Sequence, residues 1–248
     1  MKIAVIIPCY NSIEFVEKCI ESVQAQDYDD IQIYAYDNGS TDGTLELLRK
    51  KQKLSDNMFI REIENIYPNS YREAFEHAFE TIDTEYITFV ASDDYISENY
   101  ISKCMEIIKH DPKKIKCIQS PIVGVRDFPE VIVGEQAHKY NSLEEFKKIC
   151  LNKSPVNTPT VIYHKSLYKF LSTEAHSEAG LSPSGAGDYD MFCSLANNNI
   201  MIYPIPYHMG YYYRWHENQC TWKVHENKKN IDYDTIIKKY WGDKWKIK

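Results

Sequence analysis

Residues 2–37 read KIAVIIPCYNSIEFVEKCIESVQAQDYDDIQIYAYD. An unbroken apolar run of strand length, Lys2–Pro8, is followed by a segment carrying Ile13, Val16, Ile20 and Val23 at helical spacing, and then by a second apolar run, Ile31–Asp37. Asn11 and Glu14 are spaced as a capping box that would open the helix. The alternation continues outward. STDGTLELLRKKQKL predicts a second helix, MFIREI a third strand, SYREAFEHAFETI a helix opened by a capping box of Ser70 and Glu73, and EYITFVAS a fourth strand. Strands alternating with helices of this length imply an α/β fold whose central sheet is mostly parallel and flanked by helices.

Ligands of such sheets bind at the carboxyl ends of the strands. Three polar clusters stand there: PCYNS after the first strand, YDNGSTDGT after the second and ASDDYIS after the fourth. Asp93 and Asp94 in the last cluster would be an ordinary turn in isolation, but here they join two other polar loops at one edge.

The second half is less regular. LEEFKKICL predicts a helix, PTVIYHK a strand, GDYDMFCSLANNN a helix start and IMIYPIPYHMGYYYRWH two Tyr-rich strands. No repeat or linker interrupts the chain, so its 248 residues are expected to form a single compact unit.

Composition narrows the function. A net charge of −7 argues against nucleic acid as a partner, since duplex binding draws on a basic face. The seven cysteines are scattered and form no CxxC pair, which points to free thiols in a reducing compartment. The apolar start of the chain is short and broken by Pro8, as in a core strand and unlike a signal peptide. No window approaches the roughly 20 apolar residues of a membrane span; the expected location is cytoplasmic, with contact at most to the inner face of a membrane. Neither GxGxxG nor GxxxxGK[ST] is present. A phosphorylated ligand at these strand ends would therefore need another counter-charge, and a carboxylate-held Mn²⁺ or Mg²⁺ supplies one.

In this order and at these intervals, IIPCYN, YDNGSTDGT, SYREAF, EYITFVASDD, GDYDMF and YYRWHENQ resemble an inverting family 2 glycosyltransferase with the GT-A (Rossmann-like) fold. The resemblance runs from Lys2 to about Thr221. It implies a nucleoside diphosphate sugar donor, with UDP expected, and a glycan or lipid-linked glycan acceptor, as in synthesis of a bacterial surface polysaccharide. It implies that Pro8, Tyr10, Asn11, Asp37, Asn38 and Arg72 hold the nucleoside. Asp93 and Asp94 match the DXD-type motif for ribose and metal, His216 a further metal or diphosphate contact, and Asp188 the catalytic base, with Asp190 as the fallback.

Residues 1–125 would be the donor half, 126–225 the acceptor half and 226–248 a helical tail. Three positions depart from the family pattern: Asn38 and Ala91 stand where it has aspartates, and Gly187 where it has a glutamate. An amide oxygen still accepts from a pyrimidine N–H, so Asn38 keeps that capacity. The tail offers Lys228, Lys229, Lys238, Lys239, Lys244, Lys246 and Lys248 with Tyr240, Trp241 and Trp245, which suit either a helix packed on the domain or a weak contact with a membrane surface. Two rival readings are a nucleotidyltransferase of similar fold, for which the basic Gly-rich loop is missing, and a non-catalytic nucleotide-sugar binding protein.

Overall fold

The computed structural model describes residues 1–64, 69–126, 131–172, 186–219 and 233–243, with the side chains of 69–71 and 186 set aside. The first half is β1 (Ile3–Cys9), α1 (Val16–Gln24), β2 (Ile31–Asp37), α2 (Thr44–Gln52), β3 (Met58–Glu62), α3 (Asn69–Thr81), β4 (Tyr86–Phe89), β5 (Tyr95–Ile96) and α4 (Tyr100–His110). The second half is β6 (Cys117–Gln119), β7 (Ile122–Arg126), β8 (Val131–Gln136), α5 (Leu143–Cys150), β9 (Ile162–His164), α6 (Ala186–Asn197), β10 (Tyr203–Pro204), β11 (Tyr211–Trp215) and α7 (Tyr233–Trp241), with short 3-10 turns at Thr158–Thr160 and Lys165–Phe170.

A seven-stranded sheet runs β10-β6-β9-β4-β1-β2-β3, and its pairs are parallel except where β9 meets β4 and β6. Successive side chains of a strand face opposite sides, and both sides of this sheet are covered. On β1, Ala4 and Ile6 join a core formed with α3, α5, α6 and α7, whereas Ile3, Val5 and Ile7 join one formed with α1, α2 and α4. Burying each such side chain is worth roughly 1.5–3 kcal/mol, which is why unbroken apolar strands settle between two helical layers. Register places Cys9 beside Asp37 and Ile6 beside Phe89. The loops after β1, β2 and β4 therefore emerge side by side.

A second sheet, absent from the sequence-based expectation, runs β5-β11-β7-β8. β11 lies antiparallel to β5 and parallel to β7, which brings residues 211–215 against the turn after β4. The strand β5 has only two residues, too few to show a period in the sequence. Gly210 makes the junction possible: its φ is +114°, and a Cβ there would fall 1.8 Å from Ser97 Oγ, while its carbonyl accepts from the Ser97 amide at 2.8 Å.

Helix starts differ from the capping-box reading at one place. α1 begins at Val16 with Phe15 as N-cap and no side-chain cap. Asn11 sits earlier, at φ +46°, and Ile13 is exposed. Val16, Cys19, Ile20 and Val23 form the buried stripe. The Ser70 capping box falls on side chains outside the described set. The six described cysteines are free and buried; Cys220 lies outside the described residues. Among the described residues no helix is long and apolar enough to cross a membrane.

Gly210→Ala is expected to destabilise the fold by about 2 kcal/mol or more, because the new methyl meets Ser97 and the backbone conformation disfavours a side chain. Thermal unfolding would then fall by roughly 4–8 °C, the scale for a chain of this size. An unchanged midpoint would mean that the β5–β11 junction carries no strain-sensitive contact.

Candidate active site

Two of the three polar loops are stitched to each other. Asn11 Oδ1 accepts from the Thr41 amide at 2.8 Å, and the Asn11 amide donates to Ser40 Oγ at 3.0 Å. The Ser12 amide donates to Thr44 Oγ1 at 2.9 Å and the Ile13 amide to Asp42 Oδ2 at 3.0 Å. Asp42 also accepts from Thr44 Oγ1 and the Thr44 amide. Burial pushes its carboxyl up, but these bonds outweigh that and hold it below the usual carboxylate range. Asn11 thus shapes the loop with its side chain, and its left-handed backbone is one that asparagine tolerates.

Beneath these stitched loops two buried acceptors are left unused. Asp37 is almost fully buried and accepts from the Ser40 amide through Oδ2 at 3.0 Å, while Oδ1 has no partner among the described residues. Asn38 Oδ1 is likewise buried without a partner. Buried acceptors without a donor are costly unless a ligand supplies one. Tyr10, which follows β1, is 52% exposed, so its ring stands at the surface. Pro8 is half-buried at the end of β1. Arg72 lies on α3 with its Nε bonded to Glu76 at 2.7 Å, one turn along the same helix.

The third loop separates its two aspartates. Asp94 is wholly buried: Oδ2 accepts from Tyr211 OH and Oδ1 from the Arg214 amide, both at 2.9 Å. Burial and the neighbouring Asp93 hold the Asp94 carboxyl well above the usual carboxylate range. Asp94, expected to bind metal, has both of its oxygens turned to the protein, where they fasten the turn to β11. Asp93 faces the other way, partly exposed, with Oδ2 2.9 Å from His216 Nε2.

His216 is held from three directions. Its ring lies 4.3 Å from that of Phe15 at 39°, its amide donates to Gln219 Oε1 at 3.3 Å, and Gln219 Nε2 donates to the Arg214 carbonyl. The Arg214 guanidinium lies over the rings of Phe15 and Tyr95, at 4.9 and 5.6 Å. His216 Nδ1 is buried with no partner among the described residues. Tyr211, Phe15 and Gln219 were not foreseen from the sequence. Tyr211 and Phe15 read as ordinary core aromatics, and Gln219 acts through a turn that no period marks.

The donors fit a divalent metal of a particular kind. Mg²⁺ and Mn²⁺ are held by one or two protein side chains and complete their shells with phosphate oxygens and water. Asp93 offers one partly exposed carboxylate for such an ion, with the His216 imidazole 2.9 Å from it. No group of three or more His, Cys, Asp or Glu residues able to hold an ion occurs among the described residues.

Asp188 lies in the first turn of α6 and Asp190 just after it, and the two have different surroundings. Asp188 is half-exposed. Asp190 is 1% exposed and accepts from Ser172 Oγ at 2.5 Å, Tyr240 OH at 2.7 Å and Lys239 Nζ at 3.2 Å. Asp190, expected as the fallback base, is thus enclosed by Ser172, Lys239 and Tyr240. Helix α7, which supplies two of these partners, buries Ile236 and Ile237, so this part of the tail packs on the domain. Lys228, Lys229, Lys244, Trp245, Lys246 and Lys248 fall outside the described residues.

Known proteins share this arrangement of chain. A poly(ribitol-phosphate) beta-glucosyltransferase of Bacillus spizizenii is 31% identical over 139 residues, covering 54% of this chain and 22% of its own length. The poly(ribitol-phosphate) beta-N-acetylglucosaminyltransferase TarS of Staphylococcus aureus is 28% identical over 172 residues, 68% of this chain and 28% of its own. The chain thus spans about a quarter of the length of these relatives. The crystal structure of TarS residues 1–349 in complex with UDP-GlcNAc superposes with a TM-score of 0.67 at 19% identity, over 99% of this chain and 73% of that one. A mannosyltransferase of Pyrobaculum calidifontis, in complex with GDP-Man and Mn²⁺, gives 0.61 at 14% identity, over 91% of this chain and 60% of that one. The fold is accordingly that of the GT-A glycosyltransferases. Residues 4–176 match the family described as Glycosyl transferase family 2, and the chain belongs to it.

Proposed function

We propose that this chain transfers a sugar, with inversion, from a UDP-sugar to a hydroxyl group of a glycan in cell-surface polysaccharide synthesis. The observation that carries this reading is the Asp93–His216 pair at the turn after β4, supported by the buried, unpartnered acceptors of Asp37 and Asn38 after β2. Support for UDP comes from the TarS complex with UDP-GlcNAc, and support for a metal from the Pyrobaculum complex with Mn²⁺. In this account residues 1–125 serve the donor and 126–225 the acceptor.

Each residue has a separate task. Asp37 and Asn38 accept from the pyrimidine edge and the ribose, and the exposed Tyr10 ring covers the base. Asn11 and Pro8 shape the loop beneath it, and Arg72 reaches the base by exchanging its bond to Glu76. Asp93 and His216 hold the Mn²⁺ or Mg²⁺. When bound, that ion neutralises the charge on the departing diphosphate.

The reaction is one displacement: the acceptor oxygen bonds to the anomeric carbon as the bond to the diphosphate oxygen breaks. The acceptor proton must leave in the same step. Asp188, half-exposed and kept apart from the buried carboxylate of Asp190, takes it as general base.

Asp188→Asn is expected to retain UDP binding within about twofold and to lower turnover by roughly 10²–10⁴, the contribution typical of a positioned base. The assay is UDP release from UDP-glucose and UDP-N-acetylglucosamine, with water or a ribitol phosphate polymer as acceptor. Equal loss of binding and turnover would remove Asp188 from that role.

The two adjacent aspartates should respond in opposite ways. Asp94→Ala strands the Tyr211 hydroxyl and the Arg214 amide, which costs about 3 kcal/mol and lowers the melting temperature by roughly 6–12 °C. Asp93→Asn breaks only a partly exposed pair and leaves melting nearly unchanged, yet weakens UDP binding in the presence of Mn²⁺ on the order of tenfold. Differential scanning fluorimetry and titration calorimetry on both variants decide this. Similar behaviour of the two would contradict the division between them.

A further inference from the structure

Helix α7 holds the start of α6 through a cluster centred on Asp190, completed by Ser172 from a third part of the chain. Asp190 accepts from Ser172 Oγ at 2.5 Å and from Tyr240 OH at 2.7 Å, and pairs with Lys239 Nζ at 3.2 Å. Burial and the bond to Asp190 push the Tyr240 hydroxyl up to about 12, so it stays protonated and remains a donor throughout the physiological range. The preceding residue, Tyr189, is wholly buried: its hydroxyl donates to the Cys150 carbonyl at the end of α5, and its ring meets that of Tyr233 on α7 at 4.9 Å, nearly edge-on. Ile236 and Ile237 anchor α7 in the core shared with α5 and α6.

Tyr189 and Asp190 are the two residues after Asp188. Two successive side chains are thus fixed by three elements, while Asp188 is left half-exposed at the start of the helix. A buried carboxylate with one cation and two hydroxyl donors is costly to assemble and strongly disrupted by loss of a partner, so it defines one position for the turn.

We propose that α7 is a strap whose Lys239 and Tyr240 act, through Asp190, as positioning residues for the turn that carries Asp188. The inference rests on the reading of Asp188 as base. It gives the segment after residue 232 a part in turnover, distinct from donor binding. Displacing a catalytic group by about 1 Å costs up to about a hundredfold in rate, so loosening the turn should be visible in turnover well before the domain unfolds.

The experiment compares Tyr240→Phe, Lys239→Met and their combination with Lys239→Arg and the parent chain. UDP affinity is read by calorimetry, turnover by UDP release from UDP-glucose or UDP-N-acetylglucosamine, and local order by hydrogen exchange of amides 190–194. The proposal expects UDP affinity within about twofold, turnover lower on the order of tenfold or more in the double variant, faster exchange at 190–194 and recovery of most of the rate in Lys239→Arg. Unchanged exchange there, or turnover falling only in proportion to the fraction of chain that still binds UDP, would overturn it. If the double variant does not fold, Tyr240→Phe, which removes one hydroxyl, is judged by the same readings. Asp188→Asn separates the two failures. Full turnover in Asp188→Asn refutes the base assignment, whereas its loss together with unaltered turnover in the strap variants refutes the strap alone.

Discussion

The carboxylate of Asp94 is the tie on which the site depends. It is fully buried, and it joins the turn after β4 to two points on β11 through Tyr211 and the Arg214 amide. A buried carboxyl group is tolerated only where its bonds are satisfied, and its raised pKa reflects the cost of keeping it there. That cost buys position. With β11 fastened to this turn, His216, two residues past Arg214, arrives beside Asp93. Gly210 permits the same approach from the other end of β11, and Phe15 and Gln219 fix the imidazole once it is there.

The two halves of the site are built by different means. Around Asp37 and Asn38, backbone amides and short polar side chains of adjacent loops satisfy one another and leave those two residues with unused acceptors. Around Asp93, strand pairing over long sequence distance brings together residues more than a hundred positions apart. The first arrangement is local to β1 and β2 and preformed by register. The second requires the small sheet, which sets a turn against a distant strand.

The sequence was most readable where structure is periodic. Continuous apolar strands and amphipathic helices up to β4 declared the layered sheet, and with it the side-by-side exit of the loops after β1, β2 and β4. Where one residue's role depends on a partner far along the chain, the sequence was silent. Asp93 and Asp94 are chemically identical neighbours, and only the position of Tyr211 and Arg214 separates an outward carboxylate from an inward one. Asp188 and Asp190 present the same problem, decided by Ser172 and α7. Asn11 was misread for a further reason: a side chain that can cap a helix can equally cap a neighbouring loop, and here Thr41 is its donor.

The central claim is that Asp93 and His216 form an incomplete metal site that a nucleoside diphosphate completes. Electron paramagnetic resonance of Mn²⁺ tests it most directly, by titrating the ion into the protein with and without UDP. The account predicts weak binding of Mn²⁺ alone, much tighter binding once UDP is present, and loss of that gain in His216→Ala. Mn²⁺ binding that is indifferent to UDP, or unaltered in His216→Ala, would contradict it.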